Sequence, residues 1–139
     1  MNTESPFYKE AVAVREELFF KEMKNSRDLI NDEFELNGIH LVCLDQGKVI
    51  GTGRLNIVED EAIISQMAIK ENYQRQGVGA EILKELIRYC KREGVFYLKL
   101  SARETAIAFY KKFNFRILGD KYPSLKTGVV HQKMTLKID

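Results

Sequence analysis

A chain of 139 residues, 45% hydrophobic and 30% charged, has the size and balance of one globular domain and excludes a disordered tail or a fibrous repeat. Twenty-two Lys and Arg against twenty Asp and Glu leave a formal charge of +2, too small an excess to imply a nucleic-acid partner. The two cysteines, Cys43 and Cys90, form no C-x-x-C pair or disulfide framework, and no apolar run approaches a membrane span, so the chain is expected in a reducing, cytoplasmic compartment, free of membranes.

Ser5 before Pro6 fits a helix N-cap with proline in the first turn, and Phe7, Ala11, Val14 and Leu18 then recur at helical spacing, which predicts a helix over 6–24. Ser26 is placed to cap a short helix over 27–32, with Leu29 and Ile30 on its apolar side. From Gly38 the period changes. Ile39 to Leu44 and Val49 to Val58 form two β-type runs around the turn Asp45-Gln46-Gly47-Lys48. After Glu59-Asp60-Glu61, the run Ala62 to Ile69 is almost continuously apolar and reads as a strand buried on both faces.

Beyond the loop Lys70 to Gln76, the residues Val78, Ile82, Leu83, Leu86, Ile87 and Cys90 trace one face of a long helix that Gly94 ends. A strand over 96–101, a helix over 105–113, a short strand over 115–118, a turn over 123–128 and a last strand over 129–138 complete the chain. Antiparallel strands, a strand-helix-strand crossover, then a helix and a terminal hairpin specify an α+β fold. Its core is one mixed sheet flanked by helices, in a single domain over 1–139.

Chemistry concentrates at Gln74-Arg75-Gln76-Gly77-Val78-Gly79-Ala80. This segment opens a helix, where backbone N–H groups lack partners and the dipole favours an anion; Gly77 and Gly79 allow close approach of a phosphate, and Arg75 adds a positive charge. Turn geometry alone also explains a glycine here. A Walker A loop needs Lys-Ser or Lys-Thr after the last glycine, and a dinucleotide fingerprint needs a third small residue where this chain has Ile82.

What remains, Q-x-x-G-x-G-A after a strand, resembles the acyl-CoA pyrophosphate loop of the GNAT acetyltransferase superfamily. The resemblance extends to Met67-Ala68-Ile69, similar to the strand that pairs with the pantetheine arm, and to Ala106-Ile107-Ala108-Phe109-Tyr110-Lys111-Lys112-Phe113-Asn114-Phe115, similar to A-x-x-F-Y-x-x-x-G-F. It covers roughly Gly38 to the C-terminus. Asn114 replaces the usual glycine, and Asn is the next most tolerant residue for a left-handed helix end. The N-terminal third leaves little room for the family's first strand, so the sheet is expected to be one strand short. The runs Val14 to Phe20, His40-Leu41-Val42 and Gly51 to Leu55 also look like a group of small bacterial GNAT proteins.

The resemblance implies an acetyl-CoA co-substrate and direct attack of a primary amine, on a small molecule or peptide, without an acyl-enzyme. Met67, Ala68 and Ile69 would polarise the thioester carbonyl, and Gln74, Arg75, Gln76, Gly77, Val78, Gly79 and Ala80 would hold the diphosphate, with Arg103 near the phosphates or in solvent. Tyr110 matches the tyrosine that protonates the departing thiolate, although on residue grounds it also reads as a core aromatic beside Phe109 and Phe113. The strand position where histone-type members carry a glutamate aligns with Ile63, so the base is not legible. Glu33, Glu35, His40, Ser101 and His131 are the candidates for acceptor contact or proton relay. His40 and Cys43 lie three apart on a strand and face opposite sides, so no metal is expected. A binding-only GNAT fold that senses or docks acyl-CoA is the alternative to an enzyme, and the family leaves a homodimer open.

Overall fold

The computed structural model describes residues 5–20, 35–123 and 129–138. Ser5 Oγ accepts the N–H of Phe7 at 3.3 Å and the carbonyl of Ser5 accepts that of Tyr8 at 3.0 Å, so the capping serine starts helix α1, Tyr8–Phe20. The expected continuation over 21–24, the helix over 27–32 and Glu33 lie outside the described residues.

Seven strands follow: β1 Ile39–Asp45, β2 Lys48–Val58, β3 Glu61–Ile69, β4 Tyr97–Arg103, β5 Arg116–Ile117, β6 Tyr122–Pro123 and β7 Val130–Lys137. Helix α2, Val78–Arg92, joins β3 to β4, and the short α3, Ile107–Lys111, precedes β5. The strand order is β1-β2-β3-β4-β7-β5, with β6 also on β7, and β3–β4 is the parallel pair that the crossover requires. No strand precedes α1 among the described residues.

The two faces of the sheet carry different chemistry. On one, α2 buries Ile82, Leu83, Leu86 and Cys90 against Leu55, Ala62, Ile64, Leu98, Leu100 and Met134. The helix lies close because Gly51 and Gly53 leave room for it: a Cβ on Gly51 would stand 2.8 Å from Ile69 Cδ1 and 3.0 Å from Val78 Cγ1, and one on Gly53 would stand 3.1 Å from Ile82 Cγ2. The other face receives α1, whose Val14 packs with Val49 and Ala68.

His40 faces α1 and Cys43 packs on the α2 side, opposite faces as the two-residue period of a strand requires. Burial pushes the Cys90 thiol up to about 11 and raises that of Cys43, as for small core side chains. Asn114 takes φ of 72°, so the left-handed turn survives the loss of glycine, and the Phe115 N–H closes it on the Tyr110 carbonyl at 3.3 Å.

Two expectations need correction. Strand β3 is not buried on both faces: Ile63, Met67 and Ile69 are half-buried, and β4 runs beside it only from Glu61 to Ile64. The helix expected over 105–113 is a 3-10 turn, Glu104–Ala106, followed by five α-helical residues, since the chain must bend sharply out of β4.

Candidate active site

Parallel pairing of β3 with β4 runs from Glu61↔Tyr97 to Ile64↔Leu100 and stops there. Both strands continue, β3 pairing β2 as far as Gly51↔Ile69 and β4 pairing β7 as far as Arg103↔His131. A wedge therefore opens between residues 65–69 and 101–103, in the middle of the sheet, with strand edges that no neighbouring strand occupies. An extended ligand can lie there and use main-chain groups as a strand would.

The wedge has a defined cause on β3. Thr52 pairs with Ala68 and Arg54 with Ser65, so Gln66 and Met67 stand opposite the single residue Gly53, a β-bulge with Gln66 at φ of 51°. Such a φ is costly for a residue with a Cβ and re-aims the peptide that follows it.

The loop after β3 continues the site. Gln74 Nε2 donates to the Ile69 carbonyl at 2.9 Å and Gln76 Nε2 to the Asn72 carbonyl at 2.8 Å, while the Tyr73 hydroxyl donates to Asp45 at 2.8 Å. These bonds pin the loop, so Gln74 and Gln76 act on its shape, and Arg75 at φ of 63° stays exposed. Gly77 at φ of 85° stands just before α2, no side chain caps that helix, and its first bond is Glu81 N–H to the Gly77 carbonyl at 3.0 Å. The N–H groups of Val78, Gly79 and Ala80 thus remain for a ligand. A Cβ on Gly77 would meet nothing within 4 Å, and one on Gly79 would lie 3.6 Å from Phe109, so packing does not demand these glycines. Backbone conformation demands the first, and the open approach fits a diphosphate at both.

Phe109, beside Gly79, also orients Tyr110: their rings meet edge to face at 5.0 Å, and Phe115 flanks Tyr110 at 5.8 Å. Burial pushes the Tyr110 phenol up to about 12, with Arg103 opposing. It is therefore a protonated donor at any ordinary pH.

Where β4, β6 and β7 meet, Ser101 Oγ lies 2.6 Å from the Tyr122 hydroxyl, and the half-buried His131 holds its Nδ1 2.8 Å from the Val129 carbonyl with its ring 6.2 Å from that of Tyr122. Arg103 pairs with His131 across β4 and β7, so these residues share one face.

Glu35 and His40 belong elsewhere, in a buried cluster under α1. Arg15 Nη2 donates to Glu35 Oε2 at 2.7 Å and Nη1 to Oε1 at 3.1 Å; Arg54 Nη1 donates to Oε1 at 3.0 Å; the Tyr8 hydroxyl donates to Oε2. Burial alone would raise the Glu35 carboxyl, but the bonds from Arg15 and Tyr8 outweigh it and hold it at about 2. The fully buried His40 places Nε2 3.1 Å from the Glu35 carbonyl, and burial lowers its pKa, keeping the ring neutral. A carboxylate so stabilised is a poor proton acceptor, and its charge is already answered by two arginines. Arg15 also reaches Gln66, and Arg54 Nε donates to Ser65 Oγ at 2.9 Å. Tyr8, Arg15, Arg54 and Gln66 are site neighbours that the sequence reading passed over. Arg15, four residues after Ala11 and eight after Phe7, carried the one available signal, a charge on a core stripe.

The acetyltransferase (GNAT) family model matches residues 5–115. The chain belongs to the GNAT acetyltransferase family. It is 32% identical over 126 residues to YjcF of Bacillus subtilis strain 168, an uncharacterized N-acetyltransferase, with 91% of this chain and 89% of the relative covered. Solved structures share the fold. That of a GNAT family acetyltransferase from Elizabethkingia anophelis with acetyl-CoA bound superposes with a TM-score of 0.75 at 18% identity, covering 99% of this chain and 95% of the other. Escherichia coli ElaA gives 0.82 at 16% identity, covering 96% and 92%. This GNAT protein is accordingly an acyl-CoA-dependent N-acyltransferase. No helix among the described residues is long and apolar enough to cross a membrane.

Proposed function

We propose that this GNAT protein transfers the acetyl group of acetyl-CoA to a primary amine of a small molecule or peptide, by direct attack within a ternary complex. The observation that carries the reading is the wedge between β3 and β4, opening at its end onto the uncapped start of α2. A pantetheine arm in the wedge and a diphosphate at Gly77–Gly79 would place the thioester beside the Gln66 bulge. Bound there, acetyl-CoA supplies an activated acyl group.

The main chain near Met67 and Ala68 receives the thioester carbonyl oxygen and stabilises negative charge as the amine nitrogen adds to the carbonyl carbon. The carbon–sulfur bond then breaks, and Tyr110 gives its proton to the departing sulfur. The amine reacts neutral and loses its second hydrogen as a proton to water, which also restores the Tyr110 phenol. Glu35 is too strongly ionised to act as base, and Ile63 offers no carboxylate. Ser101, Tyr122 and His131 line the face from which the acceptor would approach.

Incubation with acetyl-CoA and a panel of diamines, amino sugars, amino acids and peptides, followed by free thiol release, tests the reading. Transfer to at least one amine, slowed in Tyr110→Phe, is expected; tight CoA binding without transfer to any would instead favour a binding-only protein.

A further inference from the structure

The bulge that shapes the wedge is held from the opposite face of the sheet. Gln66 and Ser65, the residues at the bulge, each engage an arginine: Arg15 Nη1 donates to Gln66 Oε1 and Arg54 Nε to Ser65 Oγ. Both guanidinium groups converge on one carboxylate, Glu35, with N–O distances of 2.7 to 3.1 Å. The Tyr8 hydroxyl completes the carboxylate's shell. Helix α1, the turn that leads into β1, strand β2 and strand β3 are thereby tied at a single buried point.

Such a brace has a physical task. Gln66 sits at φ of 51°, in a region where a residue with a Cβ is held only if its surroundings over-determine it. Relaxation of the bulge toward regular β pairing would move one residue of register, and a one-residue slip turns each side chain and each N–H to the other side. The direction of the peptide following Gln66 thus depends on what grips the Gln66 side chain. Arg15 is fully buried and is itself fixed by two bonds to Glu35, so it offers a rigid grip.

We infer that Arg15 is a positioning residue for acyl transfer: through Gln66 it holds the β3 bulge, and so keeps the following N–H aimed at the thioester carbonyl. The inference rests on the thioester seat proposed above. It assigns a role in the chemistry to a residue on α1 that makes no contact with the reacting atoms.

Carbonyl polarisation is the readout that a merely structural role would leave unmoved. The test measures the C=O stretch of acetyl-CoA carrying carbon-13 at the carbonyl, bound to wild type, Arg15→Met, Arg15→Lys and Gln66→Leu, with the affinities of acetyl-CoA and CoA beside it. The wild type is expected to lower the stretch relative to free acetyl-CoA and to bind acetyl-CoA more tightly than CoA. Arg15→Met and Gln66→Leu should return the stretch toward the free value and reduce the preference for acetyl-CoA about tenfold, as loss of one hydrogen bond to a polarised oxygen implies. Their affinity for CoA itself should hold within about twofold, and Arg15→Lys should recover part of the shift.

Gln66→Leu leaves the Arg15–Glu35 pair intact, so it reads the inference even where Arg15→Met does not fold. Folded variants that keep the wild-type stretch would overturn the role of Arg15 while leaving the cofactor reading in place. A wild type that binds acetyl-CoA without lowering the stretch, or that does not bind it, removes the thioester seat and this inference with it.

Discussion

Arg15 and Glu35 form a two-pronged ion pair, 2.7 and 3.1 Å, with both side chains out of water, and the same carboxylate also takes a bond from Arg54 at 3.0 Å. The pair links a helix to the turn that leads into β1, across twenty residues of chain. Breaking one partner of such a pair strands the other charge, which typically costs about 3–5 kcal/mol. Glu35→Gln should lower stability by that order, read as the midpoint of urea unfolding.

The same cluster sets an acid limit. Glu35 is held at about 2 in the folded protein against an ordinary 4.5, so its stabilisation is complete above 4.5 and is lost as pH falls from there toward 2. His40 acts in the same direction from a higher starting point. Its folded pKa lies below the usual 6.5, chiefly through burial, so protonation of the unfolded chain begins to cost stability as pH falls through 6.5. Thermal midpoints measured from pH 8 to 3 should fall in two stages, and Glu35→Gln should remove the lower one.

Tyr110→Phe tests the proposed general acid. General acid catalysis contributes roughly 10²–10⁴-fold, so the transfer rate should drop within that range while acetyl-CoA affinity stays close to wild type. Because burial holds the phenol near 12, no loss of rate below about pH 11 should trace to Tyr110 ionisation.

Gly53→Ala probes the contact between the helix and the bulge. The new Cβ would sit 3.1 Å from Ile82 Cγ2 and would crowd the sulfur of Met67, whose flexible side chain can yield. Overpacking of this kind costs about 1–3 kcal/mol, here expected at the lower end. The displaced Met67 flanks the proposed thioester seat, so the transfer rate should fall more than the melting temperature suggests.

Much of the fold was open to sequence reading because it depends on local periodicity. The stripe from Val78 to Cys90 and the β runs before it required a crossover helix on a mixed sheet, and Gly77 marked the turn by its need for positive φ. The wedge was hidden. Nothing in Ile63-Ile64-Ser65-Gln66-Met67-Ala68 signals a bulge, since Gln66 adopts its left-handed φ without being glycine, and the parting of β3 from β4 is a matter of tertiary register. Apolar composition therefore suggested a fully buried strand where the structure has an opening. The buried cluster was hidden for another reason: Glu35 and Arg54 look like ordinary surface charges until α1 brings Arg15 onto them.

The central claim is that the Gly77–Gly79 turn seats the diphosphate of an acyl-CoA, and calorimetric titration of acetyl-CoA into the wild type and Gly77→Glu tests it most directly. The glutamate would place negative charge at the start of α2, in space that is open in this structure. Saturable binding by the wild type, lost in a Gly77→Glu protein that remains folded by circular dichroism, is the predicted result. Equal binding by both proteins, or none by the wild type, would contradict it.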